Sequence, residues 1–162
     1  MNETFASVGS KAGENNINVV WNESIAGRSA EEVACAFMKF LSIINCENHI
    51  VLWLDNCSAQ NKNYLLFSAI VHCVNTMQFK TITLKFFEVG HTFMASDSVH
   101  ASIEKNLRKT GNVYDFGHLL KCIKLSAEKN MAVPMAIKDF YHVRNFKSVG
   151  KLNRKRFARP IL

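Results

Sequence analysis

The sequence predicts a single α/β domain in which helices alternate with the strands of a layered sheet. Residues 50–54 are apolar throughout, which is typical of a strand buried on both faces of a parallel or mixed sheet. On either side of this strand, apolar residues recur at helical spacing, so helices are expected to flank it. This alternation indicates a sheet with helices on both faces.

The first part of the chain supplies a strand and the first helix. Residues 1–16 form a polar lead-in with at most a short strand at residues 4–8, and residues 17–21 form the next strand. Ser29 and Glu32 have the spacing of a capping box, in which each side chain bonds the backbone of the other residue. We therefore predict a helix that begins after Ser29.

The second part continues the alternation. The strand at residues 50–54 leads into a polar loop at residues 55–62 and then a second helix, and residues 81–88 form another strand. A third helix starts near Ser96 or Asp97, and a fourth is predicted at residues 115–128. The core of the domain is thus expected at residues 17–137, with a late strand at residues 140–149.

Composition places the chain among ordinary globular domains, with 48% hydrophobic and 20% charged residues. The apolar runs of the sequence, such as residues 50–54, are far too short to cross a bilayer, so no membrane association is expected. Four of the five cysteines lie in apolar surroundings, which favours reduced thiols and an intracellular location.

The basic end of the chain, residues 138–162, indicates a polyanionic partner. The net charge is +7, and this segment contributes eight basic residues against Asp139. The basic residues are Lys138, Arg144, Lys147, Lys151, Arg154, Lys155, Arg156 and Arg159. Such a tail binds phosphate backbones without reading sequence. The alternative is a solvated terminus, but the interleaved Tyr141, Phe146 and Phe157 favour nucleic acid, because bases stack on aromatic rings.

Asp55 is the first candidate site residue. It directly follows the apolar strand, at the end where open α/β sheets place their ligands, and a carboxylate there suits a hard cation. In the alternative interpretation, Asp55 only bonds the amides of its own loop.

A second candidate cluster lies on the third helix. Asp97, His100 and Glu104 are spaced three and four residues apart, so they share a helical face, and His91 precedes them in a glycine-containing loop. Carboxylates and imidazoles in this arrangement suit a metal ion. In the alternative, Asp97 caps the helix, Glu104 pairs with Arg108, and His100 is a surface residue.

Three motifs carry a resemblance to a known family. They are Trp-Asn-Glu at residues 21–23, Asp-Asn-Cys-x-x-Gln-Asn-Lys-Asn at residues 55–63, and Gly-His-Thr at residues 90–92. The chain resembles an uncharacterised domain family found in transposon-derived, transposase-like animal proteins. This resemblance implies an RNase H-like (DDE-type) core, a mixed sheet with helices on both faces, that acts on DNA in the nucleus rather than the cytoplasm.

The same resemblance implies roles for individual residues. Asp55 is the second acid of a DDE-type site, and Glu104 is the third, with Asp97 as the lesser candidate. Such acids hold two Mg²⁺ or Mn²⁺ ions that activate the attacking oxygen. His91 and His100 orient water or bind metal, and Lys62 contacts phosphate. The polar loop beside the site contains Asn56, Gln60, Asn61 and Asn63, and Asn61 or Asn63 caps the next helix.

One departure from the family pattern concerns the first acid. An RNase H-like fold places it on the first of three leading strands, whereas no aspartate precedes Asp55. Glu3, Glu14 and Glu23 are the acids upstream of the first helix, and Glu23 follows a strand. We therefore expect an amino-terminally truncated, catalytically incomplete domain that contacts nucleic acid. The alternatives are an active metal-dependent phosphodiesterase and a non-enzymatic interaction module.

Overall fold

The structure is a computed structural model that describes residues 1–11, 13–44, 48–57, 61–88 and 94–146. Its first elements are β1 (Asn2–Phe5), β2 (Asn16–Val20) and α1 (Ala30–Ile43). The predicted capping box is confirmed, because the Ser29 amide donates to Glu32 Oε2 at 2.7 Å and the Ser29 side chain accepts from the backbone of the first turn. This cap fixes the start of α1.

Six further helices and strands follow α1 in the described part of the chain. They are β3 (His49–Leu54), α2 (Tyr64–Thr76), β4 (Thr81–Phe86), α3 (Ala95–Thr110), α4 (Phe116–Ser126) and β5 (Asn130–Pro134). The four predicted helices are therefore confirmed, whereas β5 was not predicted. The late strand predicted at residues 140–149 is wrong for its described part, since Val143–Asn145 form a 3-10 turn; residues 147–149 lie outside the described residues.

The strands form two sheets among the described residues. In the three-stranded sheet the order is β1-β2-β5, with β1 antiparallel and β5 parallel to β2. In the two-stranded sheet β3 runs parallel to β4, with Leu52 opposite Leu84. The chain is therefore a mixed α/β protein, and the single sheet predicted from the sequence is divided in two in the described part of the chain.

Helices cover the three-stranded sheet on both faces. On one face, Val19 and Trp21 pack with the apolar side of α1, and this core extends to α2. On the other face, Val20 packs with Val99 and Ile103 of α3 and with residues of α4. Successive residues of β2 therefore point into two different cores, as the alternation of side chains along a strand requires.

The two-stranded sheet is covered on one face. Leu52 and Leu54 point into the core shared with α1 and α2, but Val51 and Trp53 are 51% and 44% exposed. The prediction that residues 50–54 are buried on both faces is therefore wrong. The physical reason is that α3 and α4 pack against the three-stranded sheet instead, through Val20 and Ala132.

Candidate functional site

The loop after β3 holds Asp55 through local hydrogen bonds. Asp55 Oδ1 accepts from the Cys57 amide at 3.1 Å and from the side-chain amide of Asn61. The carbonyl of Cys57 in turn accepts from the amides of Asn61 and Lys62. These are the loop contacts of the alternative interpretation, and they fix the Asp55 carboxylate at the carboxyl end of β3.

Asn61 is a buried polar residue of this loop, with 8% of its surface exposed. Its Nδ2 donates to Asp55, whereas its buried Oδ1 has no hydrogen-bond partner among the described residues. A buried carbonyl oxygen without a partner costs free energy. The loop therefore carries an acceptor that a donor or cation would satisfy.

Glu3 brings a second carboxylate to this region. It lies on β1, is mostly buried, and forms an ion pair with Arg28 whose atoms Arg28 Nη2 and Glu3 Oε2 are 3.7 Å apart. Burial raises the pKa of Glu3, the Arg28 charge opposes that rise, and the Asp55 carboxylate adds to it. Glu3 and Asp55 are therefore close enough to interact, although they belong to different sheets.

The sequence singles out Glu3 only as one of three upstream acids, of which Glu23 is the one that follows a strand. In the structure Glu23 is exposed in the turn after β2, and it is Glu3 that interacts with Asp55. No sequence pattern marks this pairing, because the two residues are 52 positions apart and on strands that do not pair.

The remaining predicted loop residues have distinct contacts. Asn63 is the N-cap of α2, as one of the two asparagines was predicted to be, and its Oδ1 accepts from the Leu66 amide at 3.0 Å. The Lys62 ammonium lies 4.9 Å from the centroid of the Phe86 ring at the end of β4. Asn56 is half-buried beside Asp55, and Gln60 lies outside the described residues.

The candidate cluster on α3 is exposed and makes contacts within its own helix. Asp97 Oδ2 accepts from the Met94 amide at 2.8 Å and so closes the first turn. Glu104 pairs with Arg108 at 3.5 Å across one turn, with both side chains largely exposed. His100 is exposed. These contacts are those of the alternative interpretation, and His91 lies outside the described residues.

In the described part of the chain, no group of three or more histidine, cysteine, aspartate or glutamate side chains is arranged to hold a metal ion. Asp55 and the unpartnered Asn61 oxygen are neighbouring oxygen donors in the loop after β3, because the Asn61 side-chain amide donates to Asp55. Oxygen donors of this kind suit a hard cation such as Mg²⁺ rather than a transition metal.

Of the basic tail, the structure describes the part up to Phe146. The amide of Arg144 donates to Glu31 Oε1 at 3.3 Å, and its guanidinium lies 3.9 Å from the same carboxylate. Arg144 thus anchors the start of the tail to α1 while its side chain stays largely exposed. The remaining predicted contacts, Lys147, Lys151, Arg154, Lys155, Arg156 and Arg159, lie outside the described residues.

Fold and site together define a mixed α/β domain with a polar loop, which begins at Asp55, at the carboxyl end of a parallel strand pair. The model of a family described as a domain of unknown function (DUF7869) matches residues 19–157, and the chain therefore belongs to that family. No curated protein and no solved structure matches the chain. Among the described helices, none is long and apolar enough to span a membrane.

Proposed function

We propose that this chain is a transposon-derived, RNase H-like domain that binds DNA and lacks a complete two-metal site. The observation that carries the proposal is the Asp55 carboxylate, which its loop holds at the carboxyl end of β3 and whose charge also contributes to the raised pKa of Glu3. Asp55 occupies the end of the sheet where α/β folds place their ligands.

The order of the elements also supports an RNase H-like architecture. An antiparallel pair, β1 and β2, precedes α1, and the parallel strands β3 and β4 follow with α2 between them. A strand that ends in an acid, followed by a helix that carries Asp97 and Glu104, matches the order in which such folds present their acids.

The donors present do not fit a two-metal centre. Two-metal catalysis requires carboxylates that bridge ions about 4 Å apart. Among the described residues, Glu3 is paired with Arg28, Asp55 accepts two hydrogen bonds, and the acids of α3 are held within that helix. We therefore derive no hydrolytic step, and we propose nucleic-acid binding in the nucleus as the function.

Basic side chains near the loop after β3 supply the positive charge that would bind nucleic acid. Lys62 stands at the carboxyl end of the two-stranded sheet, and Arg144 leads into a strongly basic segment. Cations at such positions neutralise phosphates and release counterions, so the affinity falls steeply with salt.

A binding and cleavage experiment tests the proposal. Fluorescence anisotropy with labelled DNA is expected to show salt-sensitive binding that Asp55→Ala leaves intact. Because Val143 is fully buried, the tail is removed after Phe146, and this deletion is expected to weaken binding and to reduce its salt dependence. The absence of DNA binding at physiological salt would leave the interaction module as the function.

The competing enzyme hypothesis has its own outcome in the same experiment. DNA incubated with the protein and Mg²⁺ or Mn²⁺ is expected to stay intact. Metal-dependent cleavage that is lost in both Asp55→Asn and Glu3→Gln, with Glu23→Gln as the matched control, would instead establish an active phosphodiesterase. Glu23 suits this control because it is an exposed acid in the turn after β2, upstream of α1.

A further inference from the structure

The exposed face of the two-stranded sheet carries large apolar side chains that have no role in the Asp55 site. Side chains alternate along a strand, so every second residue of β3 and β4 points away from the core. These residues are His49, Val51 and Trp53 of β3 and Thr81, Thr83 and Lys85 of β4. We call this set the open face.

The open face is unusual for parallel strands. Parallel pairs are almost always covered on both sides, and large apolar side chains left exposed there mark an interaction site. Val51 is 51% exposed and Trp53 is 44% exposed, whereas Leu52 between them is buried. The exposure therefore follows the strand alternation and belongs to one continuous surface.

Aromatic rings and a cation meet at the centre of this surface. The Trp53 ring lies 5.2 Å from the Phe87 ring, centroid to centroid, with an angle of 34° between their planes. The Lys85 ammonium lies 4.9 Å from the centroid of Trp53. Phe87 buttresses the indole from one side, and the lysine keeps a positive charge beside it.

The charge of the open face decides which partner it suits. Neither β3 nor β4 contains an acidic residue, and the ionisable side chains of the face are His49 and Lys85. His49 is held by a 2.8 Å hydrogen bond between its Nδ1 and Thr81 Oγ1. A surface that joins exposed aromatic area with positive charge is complementary to unpaired bases on a phosphate backbone.

We propose that the open face binds single-stranded nucleic acid, with one base stacked on Trp53 and a neighbouring phosphate at Lys85. This inference rests on the proposed function and specifies its ligand. A lysine ammonium on a four-carbon stem is mobile, so an incoming base displaces it from the indole and it moves to the phosphate. Paired bases in a duplex cannot stack this way, because their faces are already covered.

The two tryptophans make the proposal directly measurable. Trp21 is fully buried and Trp53 is half-exposed, so quenching of tryptophan fluorescence by a bound base reports Trp53. The intact chain is titrated with oligo(dT), with a mixed-sequence duplex and with heparin, which carries negative charge but no bases. Oligo(dT) is expected to quench the fluorescence, whereas heparin binds basic residues without quenching.

Three variants separate stacking from charge. Trp53→Ala is expected to weaken oligo(dT) binding by about tenfold or more, the range found for loss of one base–aromatic contact. Lys85→Ala keeps the quenching but lowers the salt dependence of binding. Tyr114→Ala is the matched control, because Tyr114 is an aromatic residue that is 81% exposed and lies before α4, away from the open face.

Each other outcome overturns the proposal in a recognisable way. Oligo(dT) binding without quenching, and with unchanged affinity in Trp53→Ala, would show that nucleic acid binds elsewhere on the protein. The proposed function would still stand. If neither oligo(dT) nor duplex binds, the proposed function fails together with this inference. If light scattering detects self-association that Trp53→Ala abolishes, the open face is an interface between copies of this chain.

Discussion

The two sheets of this domain differ in how completely helices cover them. The three-stranded sheet lies between α1 on one face and α3 with α4 on the other, and β2 points side chains into both cores. The two-stranded sheet packs against the helices through one face, which includes Leu52 and Leu54, and leaves Val51 and Trp53 exposed on the other. Strands of similar apolar composition thus have different roles.

This difference separates stability from binding within one small fold. Burial of apolar area is the main source of folding free energy, so residues of the doubly covered sheet are expected to dominate stability. Residues of the open face gain little from folding and remain available for a ligand. A substitution in the three-stranded sheet should therefore lower stability, whereas a substitution on the open face should weaken binding and change stability little.

The largest expected contrast is between the two tryptophans. Trp21 is fully buried and its Nε1 donates to the Gly27 carbonyl at 2.8 Å, so Trp21→Ala is expected to lower the free energy of unfolding by about 3–5 kcal/mol. Trp53→Ala should cost about 1 kcal/mol or less. Urea unfolding followed by circular dichroism measures both. Similar losses in the two variants would show that the open face is not a free surface.

A smaller contrast concerns polar residues. Asn18 is fully buried on β2, where it accepts from Thr4 Oγ1 at 2.8 Å and donates to the Met131 carbonyl at 3.1 Å, so it links all three strands. Asn18→Ala leaves these partners without their hydrogen bonds, so it is expected to lower the free energy of unfolding by about 1–3 kcal/mol. Thr83→Ala, on the open face, should change stability by about 0.5 kcal/mol or less. Equal unfolding midpoints for the two variants would contradict the comparison.

Local signals in the sequence were sufficient for the helices but not for all strands. Ser29 with Glu32, Asn63 and Asp115 each cap a helix in the structure, because capping depends on residues within one turn. The strand β5 was missed because Asn130–Pro134 is short and includes residues that are uncommon in strands. Its pairing with β2 comes from distant parts of the chain.

The same limit applies to burial and to the site. An apolar run such as residues 50–54 is consistent with burial on two faces, but its sequence does not determine where α3 and α4 pack. Asp55 was predicted from its position after a strand, and its contacts with Cys57 and Asn61 are local. Glu3 required the tertiary arrangement, since it interacts with Asp55 across two sheets.

The helix that supports the two-stranded sheet offers a third test. The Asn63 side chain accepts from the Leu66 amide at the start of α2, so Asn63→Ala is expected to cost about 1 kcal/mol. Thr76→Ala is the matched control at the other end of α2, where the hydroxyl bonds only the His72 carbonyl. Urea midpoints should fall for the first variant and stay within error for the second. A larger fall in the urea midpoint for Thr76→Ala than for Asn63→Ala would show that the Asn63 side chain does not stabilise the start of α2.

The smallest expected effect tests the electrostatic interaction between Glu3 and Asp55. Burial raises the pKa of Glu3 above its ordinary 4.5, so the folded state favours protonated Glu3. The resulting stability is complete below the ordinary pKa and is lost as the pH rises through the raised pKa. Glu3→Gln should remove this loss, which urea midpoints between about pH 4 and about pH 8 would detect as a difference from the parent chain.

Asp55→Asn tests whether the Asp55 charge contributes to the raised pKa of Glu3. Because the Asp55 carboxylate contributes to the raised pKa of Glu3, this variant should lower that pKa and weaken the pH dependence, while Asp97→Asn on exposed α3 should leave both unchanged. A carboxyl-detected NMR titration of Glu3 measures the pKa directly. An identical Glu3 titration in the parent chain and in Asp55→Asn would mean that the two carboxylates lie too far apart to share a ligand, and the acidic site would lose its basis.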